Sequence, residues 1–540
     1  DNLSFDKPKL IKWERCVISS DFFGDELEKM RIIVTHDCHV IPMKSDNPHI
    51  VAARVAGFNR AVFGLPEKIY PILFFYKPNI LLSTTKLSNF VSGRYSPKDA
   101  WRIIWAKILT WISDREIAPT FKWIPTVRPI YGPNDKLPQD FEKKAFDKAI
   151  KWFYKSRLLV NPAFEKQIKR TMAKVKGTDG VGPLPPDDIP IGDGKNGISE
   201  GYSAKIYYDG SQEQRYTRRN DCIGESAMAI AFDWKINHRE KSKEIAKNLL
   251  DYIYFISDFR KGPRSDPEHP AYGLISWSEG ALDTYYGDDN ARSILGTLAA
   301  SALLNSDKWT KELLEAILAN LRTAGKYGFR HNRLETSELE KEGWRKFNEE
   351  EYIEYAPHYQ AYIWVCYLWA YYKTNYKPFF DKAETAIRMI MKTYPEKWHW
   401  TNGIAQERAR MLLPLAWLIR VRDKQEYRDW LYLIANDLLK DQQPYGAIRE
   451  SISKVSFGSY APPSSNEAYG TSEAPLIQEN GDPVSDMLYT SNFAFIGLHE
   501  ANAAINDEEL KEREDKLAEF LCRIQISSNI HPYLDGGWYR

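Results

Sequence analysis

The sequence predicts a mainly α protein, an (α/α)6 toroid of helical hairpins preceded by a small α/β domain. Three observations predict it. From residue 218 to residue 540 nearly every segment is helical in pattern, and helices apolar all round alternate with helices apolar on one side. Residues 1–115 carry short apolar runs bounded by polar residues or proline, the grammar of strands. Between them, 116–217 holds two helical stretches and a tract dense in Gly, Pro and Asp, which reads as linker helices and a long loop.

Composition removes several classes of function. The 540 residues suffice for more than one domain. Lys+Arg is 74 against 73 Asp+Glu, a net charge of +1, which lacks the basic surplus that displaces counterions from nucleic acid. No uninterrupted apolar run reaches the ~18 residues of a spanning helix, so no membrane insertion is expected. The start, Asp1-Asn2-Leu3-Ser4, has no signal pattern, and a secreted or periplasmic protein with its signal already removed is the expectation. Cys16, Cys38, Cys222, Cys366 and Cys522 are scattered with no CxxC pair, which argues against a disulfide framework or structural zinc. No metal or cofactor is expected. The chain is rich in rings, with 17 Trp, 32 Tyr and 24 Phe, and flat amphipathic rings suit both cores and the faces of sugars.

In the first domain, Arg31-Ile32-Ile33-Val34, Ile72-Leu73-Phe74-Phe75 and 79–85 are strand-like. An amphipathic helix follows from Pro97 to Trp111, with Trp101, Ile104, Trp105, Ile108 and Trp111 on one face and Ser96-Pro97 as its start. His36-Asp37-Cys38-His39 alternates across a strand, so at most two of its side chains converge, and a structural role is the expectation. Val55-Ala56-Gly57-Phe58, Val62-Phe63-Gly64-Leu65 and 83–97 resemble part of a class I glutamine amidotransferase-like domain. That resemblance implies a flavodoxin-like fold. Neither Cys16 nor Cys38 sits on the Gly-flanked elbow an active amidotransferase needs, so a non-catalytic accessory domain is expected.

Helical stretches near 140–155 and 161–175 precede the loop at 177–197. Ten helical segments follow: 220–236, 239–259, 288–304, 309–325, 354–373, 376–394, 402–422, 424–441, 486–504 and 508–525. The first, third, fifth, seventh and ninth are apolar or small all round, as in 294–304. The others are charged on one face, as at Lys311-Glu312 and Glu315. A helix apolar all round is buried and a one-sided helix forms an outer layer. With 140–155 counted as outer, one inner helix is lacking. Either 161–175 supplies it, or it lies beyond Arg540, which is the favoured expectation.

In such a ring the starts of the inner helices gather at one mouth, and these starts are polar: 218–225, 283–292, 354–360, 402–408 and 482–486. Each acid has a plainer reading. Asp288 or Asp289 would cap its helix, Glu407 would pair with Arg408 or Arg410, and His358 would be a satisfied core histidine. Convergence of Asp, Glu, His, Arg and Gln at separate helix starts favours a site. The hairpins, Tyr286-Gly287-Asp288-Asp289-Asn290-Ala291-Arg292 opening an inner helix, and the aromatic-rich loops together resemble the six-hairpin glycosidase superfamily. That resemblance implies glycoside hydrolysis by two carboxyl groups, one protonated for the leaving oxygen and one for water or the anomeric carbon.

Adjacent acids on a helix diverge by about 100°, so one of Asp288 and Asp289 faces the cavity. Asp289 is expected as acid/base residue with Glu407 as partner, and Asp288 and Glu225 in reserve. Arg219, Arg292, Arg408, His358 and Gln360 are expected to bind hydroxyls or a carboxylate of an oligo- or polysaccharide, with Tyr286, Trp277 and Trp400 stacking on sugar faces and Glu473 on a rim loop. Arginines at three helix starts point to a uronate-containing substrate. A polysaccharide lyase using His358 or Tyr359, and a non-catalytic glycan-binding protein, are the alternatives. Trp101, Trp105, Trp111, Trp364 and Trp369 fall at helical spacing and read as packing, whereas Trp277, Tyr285, Tyr286, Trp398, Trp400 and Trp538 read as mouth residues.

Overall fold

The computed structural model describes residues 7–11, 15–33, 38–57, 59–88, 98–113, 117–175, 180–207, 209–399, 403–450, 463–469 and 485–539. Trp400 and Glu473 lie outside the described residues, as do His36 and Asp37.

The N-terminal region is a five-stranded sheet in the order Ile32–Ile33, Arg15–Ile18, Ile50–Ala53, Ile69–Lys77, Ile80–Ser83. Side chains alternate across it. Cys16, Ile18, Ile50 and Ala52 join one buried cluster with Trp101, Ile104 and Ile108 of helix α1 (Lys98–Ser113). Val17, Val51 and Ala53 pack on the opposite face with Val55 and Ala61. The strand-like runs read from the sequence all fall in or over strands, but the expectation of a flavodoxin-like fold does not hold. Every ladder of this sheet is antiparallel, and a doubly wound sheet needs parallel strands joined by helical crossovers.

The rest is mainly α, as the alternation of helix character predicts. After α2 (Phe141–Lys155) and α3 (Pro162–Met172) come the hairpins: α4 (Asn220–Asn237) with α5 (Glu240–Asp251), and α6 (Gly287–Leu304) with α7 (Thr310–Arg322). Then follow α8 (Thr336–Glu349), α9 (Pro357–Thr374) with α10 (Lys377–Met391), α11 (Ile404–Val421) with α12 (Gln425–Leu439), and α13 (Asn492–Ile505) with α14 (Glu508–Ile524). The inner helices pack in sequence, α4 on α6, α6 on α9, α9 on α11 and α11 on α13. The circuit returns from α13 through α14 and α2 to α4. The helices α9 and α11 are buried round most of their girth, as at Ala361 to Leu368, whereas α13 buries a stripe from Phe493 to Ala501, and one apolar cluster runs through the ring. The segment at 161–175 is not an inner helix: α3 packs Phe164 and Ile168 on Tyr216, outside the ring. The helix α8 was not legible as one, because Gly343 interrupts it at φ 71.

The inner helices α4, α6, α9 and α13 each end on a left-handed residue, His238, Asn305, Asn375 and Asn506, with φ of 54, 49, 55 and 54°. This conformation reverses the chain at once into the outer helix, and Asn tolerates it better than most residues. All helix starts of the inner layer therefore lie at the other end.

The α4–α6 crossing is the closest. A Cβ on Gly296 would fall 2.5 Å from the Gly224 carbonyl oxygen, and one on Gly224 would fall 3.0 Å from Ser293 Cα. Gly296→Ala is expected to destabilise the protein by about 1–3 kcal/mol by forcing these backbones apart. Denaturant unfolding checks it, and an unchanged midpoint contradicts so tight a crossing.

Candidate active site

The α4–α6 approach sets the site, because it brings the first turns of both helices into side-chain contact. Asp221 of α4 is 1% exposed and receives Arg292 of α6 at 2.8 Å and Arg219 at 3.0 Å. Asp289 of α6 receives Arg219 at 2.5 Å. Arg292 also forks onto Glu225 at 2.7 and 2.8 Å, and Glu200 reaches Arg219 at 3.4 Å. Asp221 and Glu225 are one turn apart on α4, so both face the same guanidinium.

This network separates two neighbouring carboxyl groups. Burial favours the proton on both. Arg219 and Arg292 outweigh it at Asp221 and hold that group below the usual carboxylate range. At Asp289, burial together with the negative charges of Asp221 and Asp288 outweighs the arginines, and the group is raised well above that range. Asp221 has two guanidiniums in contact and Asp289 one, so Asp221 keeps the charge and Asp289 the proton.

Beside Asp288 lies His358, at the first turn of α9. Its Nε2 is 3.6 Å from Asp288 Oδ2, and its Nδ1 accepts from the Gln406 side chain of α11. With Nδ1 accepting, the ring proton sits on Nε2, the nitrogen nearer Asp288. Burial, then Arg410 and Arg292, push His358 well below its ordinary pKa, so the ring is neutral. Tyr359 and Tyr489 flank it, with ring centroids at 4.7 and 5.7 Å.

Above the acids sits an aromatic shelf. Trp277 meets Tyr286 edge to face at 5.1 Å, with the Arg219 guanidinium 5.5 Å from the Trp277 ring. Asparagines at the helix starts hold the shelf's backbone: Asn220 donates to Ser276 O at 2.6 Å, and Asn290 donates to Ile275 O at 2.8 Å while accepting from Ile275 N at 3.0 Å.

Asp288, Asp289, Glu225, Arg219, Arg292, His358, Trp277 and Tyr286, expected from the sequence as site residues, are thus brought together. Others are not. Glu407 is fully buried and accepts from the His358 backbone N–H at 2.5 Å, so it caps α9 from beneath rather than partnering Asp289 as an acid/base group. Gln360 pairs with the backbone of Arg330, donating at 2.7 Å and accepting at 3.0 Å, and is packed away from the mouth. Arg408 points outward to Tyr394 Oη at 2.7 Å and to Asp437 and Asp441 near the outer helix α12. Trp398 and Tyr285 are core residues, with Trp398 bonded to Ile390 O and Tyr285 to Thr336. Asp221, Asn220, Asn290 and Gln406 were missed; the i, i+4 spacing of Asp221 and Glu225 at a helix start was the available signal.

Among the described residues no group of His, Cys, Asp and Glu is arranged to hold a metal, and no helix is long and apolar enough to cross a membrane. No family model matches the chain, and no curated protein matches it. Solved structures similar to it include a D-mannose isomerase, at 13% identity and a TM-score of 0.45, covering 75% of this chain and 90% of that one. A sugar epimerase from a ruminal bacterium matches at 9% and 0.43, covering 74% and 93%. An unsaturated glucuronyl hydrolase specific for heparin matches at 11% and 0.39, covering 71% and 85%. Likenesses at these levels carry no argument about activity, which has to come from the site itself.

Proposed function

We propose that this protein is a carbohydrate-cleaving hydrolase in which Asp289 donates the proton to the leaving glycosidic oxygen. The observation that carries the reading is the buried Asp221–Asp289 pair, in which Asp221 is held by two arginines and Asp289 by one, so that Asp221 is lowered and Asp289 raised. A carboxyl kept protonated near neutral pH is what protonation of a leaving oxygen requires. Asp288, facing the Nε2–H of His358, is the carboxylate proposed to activate water. In the Trp277–Tyr286 shelf Arg219 lies over the first ring and Arg333 over the second, and the remaining ring surface is what a sugar would pack on. Arg219 and Arg292 are already taken by Asp221, Asp289, Glu200 and Glu225, so they do not support a uronate requirement.

The experiment is a panel of plant, host and microbial glycans assayed for release of reducing ends by the purified protein. Silence across the panel would count decisively against hydrolysis. One observation bears on a second reading, a lyase: both ring nitrogens of His358 are occupied, Nδ1 by the Gln406 amide and Nε2 by the ring proton, so proton abstraction would fall to Tyr359, whose ring lies 4.7 Å from it. A lyase product carries an unsaturated uronate that absorbs in the ultraviolet, and a hydrolase product does not.

The acid assignment has its own test in the pH profile. An acid that works protonated gives an activity that falls as pH rises through its pKa in the folded enzyme. Asp221→Asn removes one negative charge that raises Asp289 and frees both arginines to face it, so the Asp289 pKa drops. The alkaline limb of kcat/KM is therefore expected to move to lower pH. A limb that stays put or moves upward sinks the assignment.

A further inference from the structure

We propose that a cavity of about 600 Å³ between α3 and the shelf segment is a second ligand site, which takes a sugar unit bearing hydroxyl or ammonium groups rather than a carboxylate. The site lies outside the acid cluster and its test needs no turnover, so it stands apart from the hydrolase reading above.

A buried ionic network forms one wall of the cavity. Arg218, 4% exposed, donates from Nη1 and Nη2 to Glu165 of α3, both at 2.8 Å, and from Nε to Glu279 at 2.7 Å. Its Nη1 also donates to Asn196 O at 2.9 Å, and its guanidinium lies 5.7 Å from the ring of Tyr252, whose hydroxyl donates to Glu279. The guanidinium is thereby spent within the wall. The two glutamates are not: each of their oxygens accepts one bond from the network and has a lone pair for another. Burial favours the proton on Glu165, but the Arg218 bonds outweigh it and hold the group below the usual carboxylate range, so it accepts only.

This wall selects the ligand. The cations around the cavity already face carboxylates: Arg218 holds Glu165 and Glu279, Lys169 lies 3.9 Å from Glu165, and Lys261 lies 3.2 Å from Asp258. A ligand carboxylate has to displace one of these pairs, whereas a hydroxyl or ammonium group meets free lone pairs. Ile168, Ile256 and Leu282 supply apolar surface for the C–H face of a sugar ring. A small set of polar groups in a partly apolar cleft of about 300–1,000 Å³ is the usual make-up of a small-molecule site. The cavity and the mouth share a wall. Successive side chains of an extended chain point opposite ways, and here Arg218 turns to the cavity while Arg219, at φ −122 and ψ 143, turns to Asp289. Glu279 N donates to Arg218 O and Asn220 N donates to Trp277 O, both at 3.2 Å, which laces the shelf segment onto that stretch. A ligand held by Glu279 therefore steadies the segment that carries Trp277.

The test titrates glucose, glucosamine and glucuronate into the full chain and follows binding by ligand-observed NMR. Glucose and glucosamine are expected to bind, and glucuronate about tenfold more weakly or not at all. Two variants locate the site. Ile256→Trp puts an indole into the cavity from a side chain that is 45% exposed, so the fold is kept, and circular dichroism and the unfolding midpoint monitor this. Glu279→Gln keeps the shape and removes one acceptor with its charge. Each is expected to weaken glucosamine about tenfold, whereas Trp277→Ala, on the mouth side of the wall, leaves it bound. Amide exchange followed by mass spectrometry reads the coupling. With glucosamine at about ten times its Kd, a peptide covering 274–282 is expected to exchange about tenfold more slowly in the wild type, and not in Ile256→Trp. Failure of glucose and glucosamine to bind, glucuronate bound as tightly as glucosamine, or an affinity unchanged in either cavity variant overturns the proposal. So does binding that Trp277→Ala abolishes, since it then belongs to the mouth. Binding without slowed exchange at 274–282 overturns the coupling to the shelf.

Discussion

Replacing Asp289 by Asn is expected to lower kcat/KM by a factor of about 10²–10⁴, the range supplied by a positioned general acid, while the fold and glycan binding persist. The reason lies in the state of the group. Asp289 is raised well above the usual carboxylate range by burial and by Asp221 and Asp288, which favours the protonated form of the native side chain beside Asp221. Asn has the same shape and offers N–H groups to Asp221 in place of that proton, so little stability is lost. It cannot release a proton to a leaving oxygen. Steady-state kinetics paired with calorimetric binding of the same glycan separates the two effects. Activity within tenfold of wild type would remove Asp289 from the chemistry.

The largest expected effect on stability comes from Arg292→Met. Arg292 is 9% exposed and holds Asp221 at 2.8 Å and Glu225 at 2.7 Å. Removing one partner of a buried ion network leaves charge uncompensated, at a cost of about 3–5 kcal/mol. The pH dependence follows from Asp221, whose folded-state pKa is lowered. Such a group contributes stability above its unfolded pKa and loses it as pH falls through its folded pKa. The deficit of Arg292→Met is thus expected to be full at neutral pH and to shrink in acid, as Asp221 becomes protonated in the wild type too. Urea unfolding at both pH values checks it. A deficit that is constant with pH would mean the loss is packing and not charge.

The ring was legible because burial leaves a mark along a helix: 294–304 carries no charge and is largely covered, with Ala302 alone exposed, while Lys311 marks the water-facing side of the next helix. The mouth was legible for a related reason, since Arg219, Asp288, Asp289 and His358 stand at starts of helices that are otherwise apolar. What failed depends on direction in space. Glu407 and Arg408 are neighbours on one helix, yet the first points beneath the site and the second outward, and no local pattern separates them. Strand polarity in the N-terminal sheet failed likewise, because Arg15–Ile18 and Ile50–Ala53 carry the same apolar pattern in either direction. Asp221 was overlooked because its importance comes from Arg292, which lies on a different hairpin.

The left-handed residues that end α4, α6, α9 and α13 have a consequence for how such a molecule diversifies. At that end the chain turns within two residues after α4, α9 and α13 and within five after α6, and an insertion there would break the reversal on which a hairpin depends. At the other end the connections run long, from Asp251 to Gly287 and from Leu439 to Asn492, and the first of them carries the Trp277–Tyr286 shelf. Change in length is therefore tolerated on one face only. Mouth segments can thus be exchanged among descendants of this chain while the base is inherited unaltered.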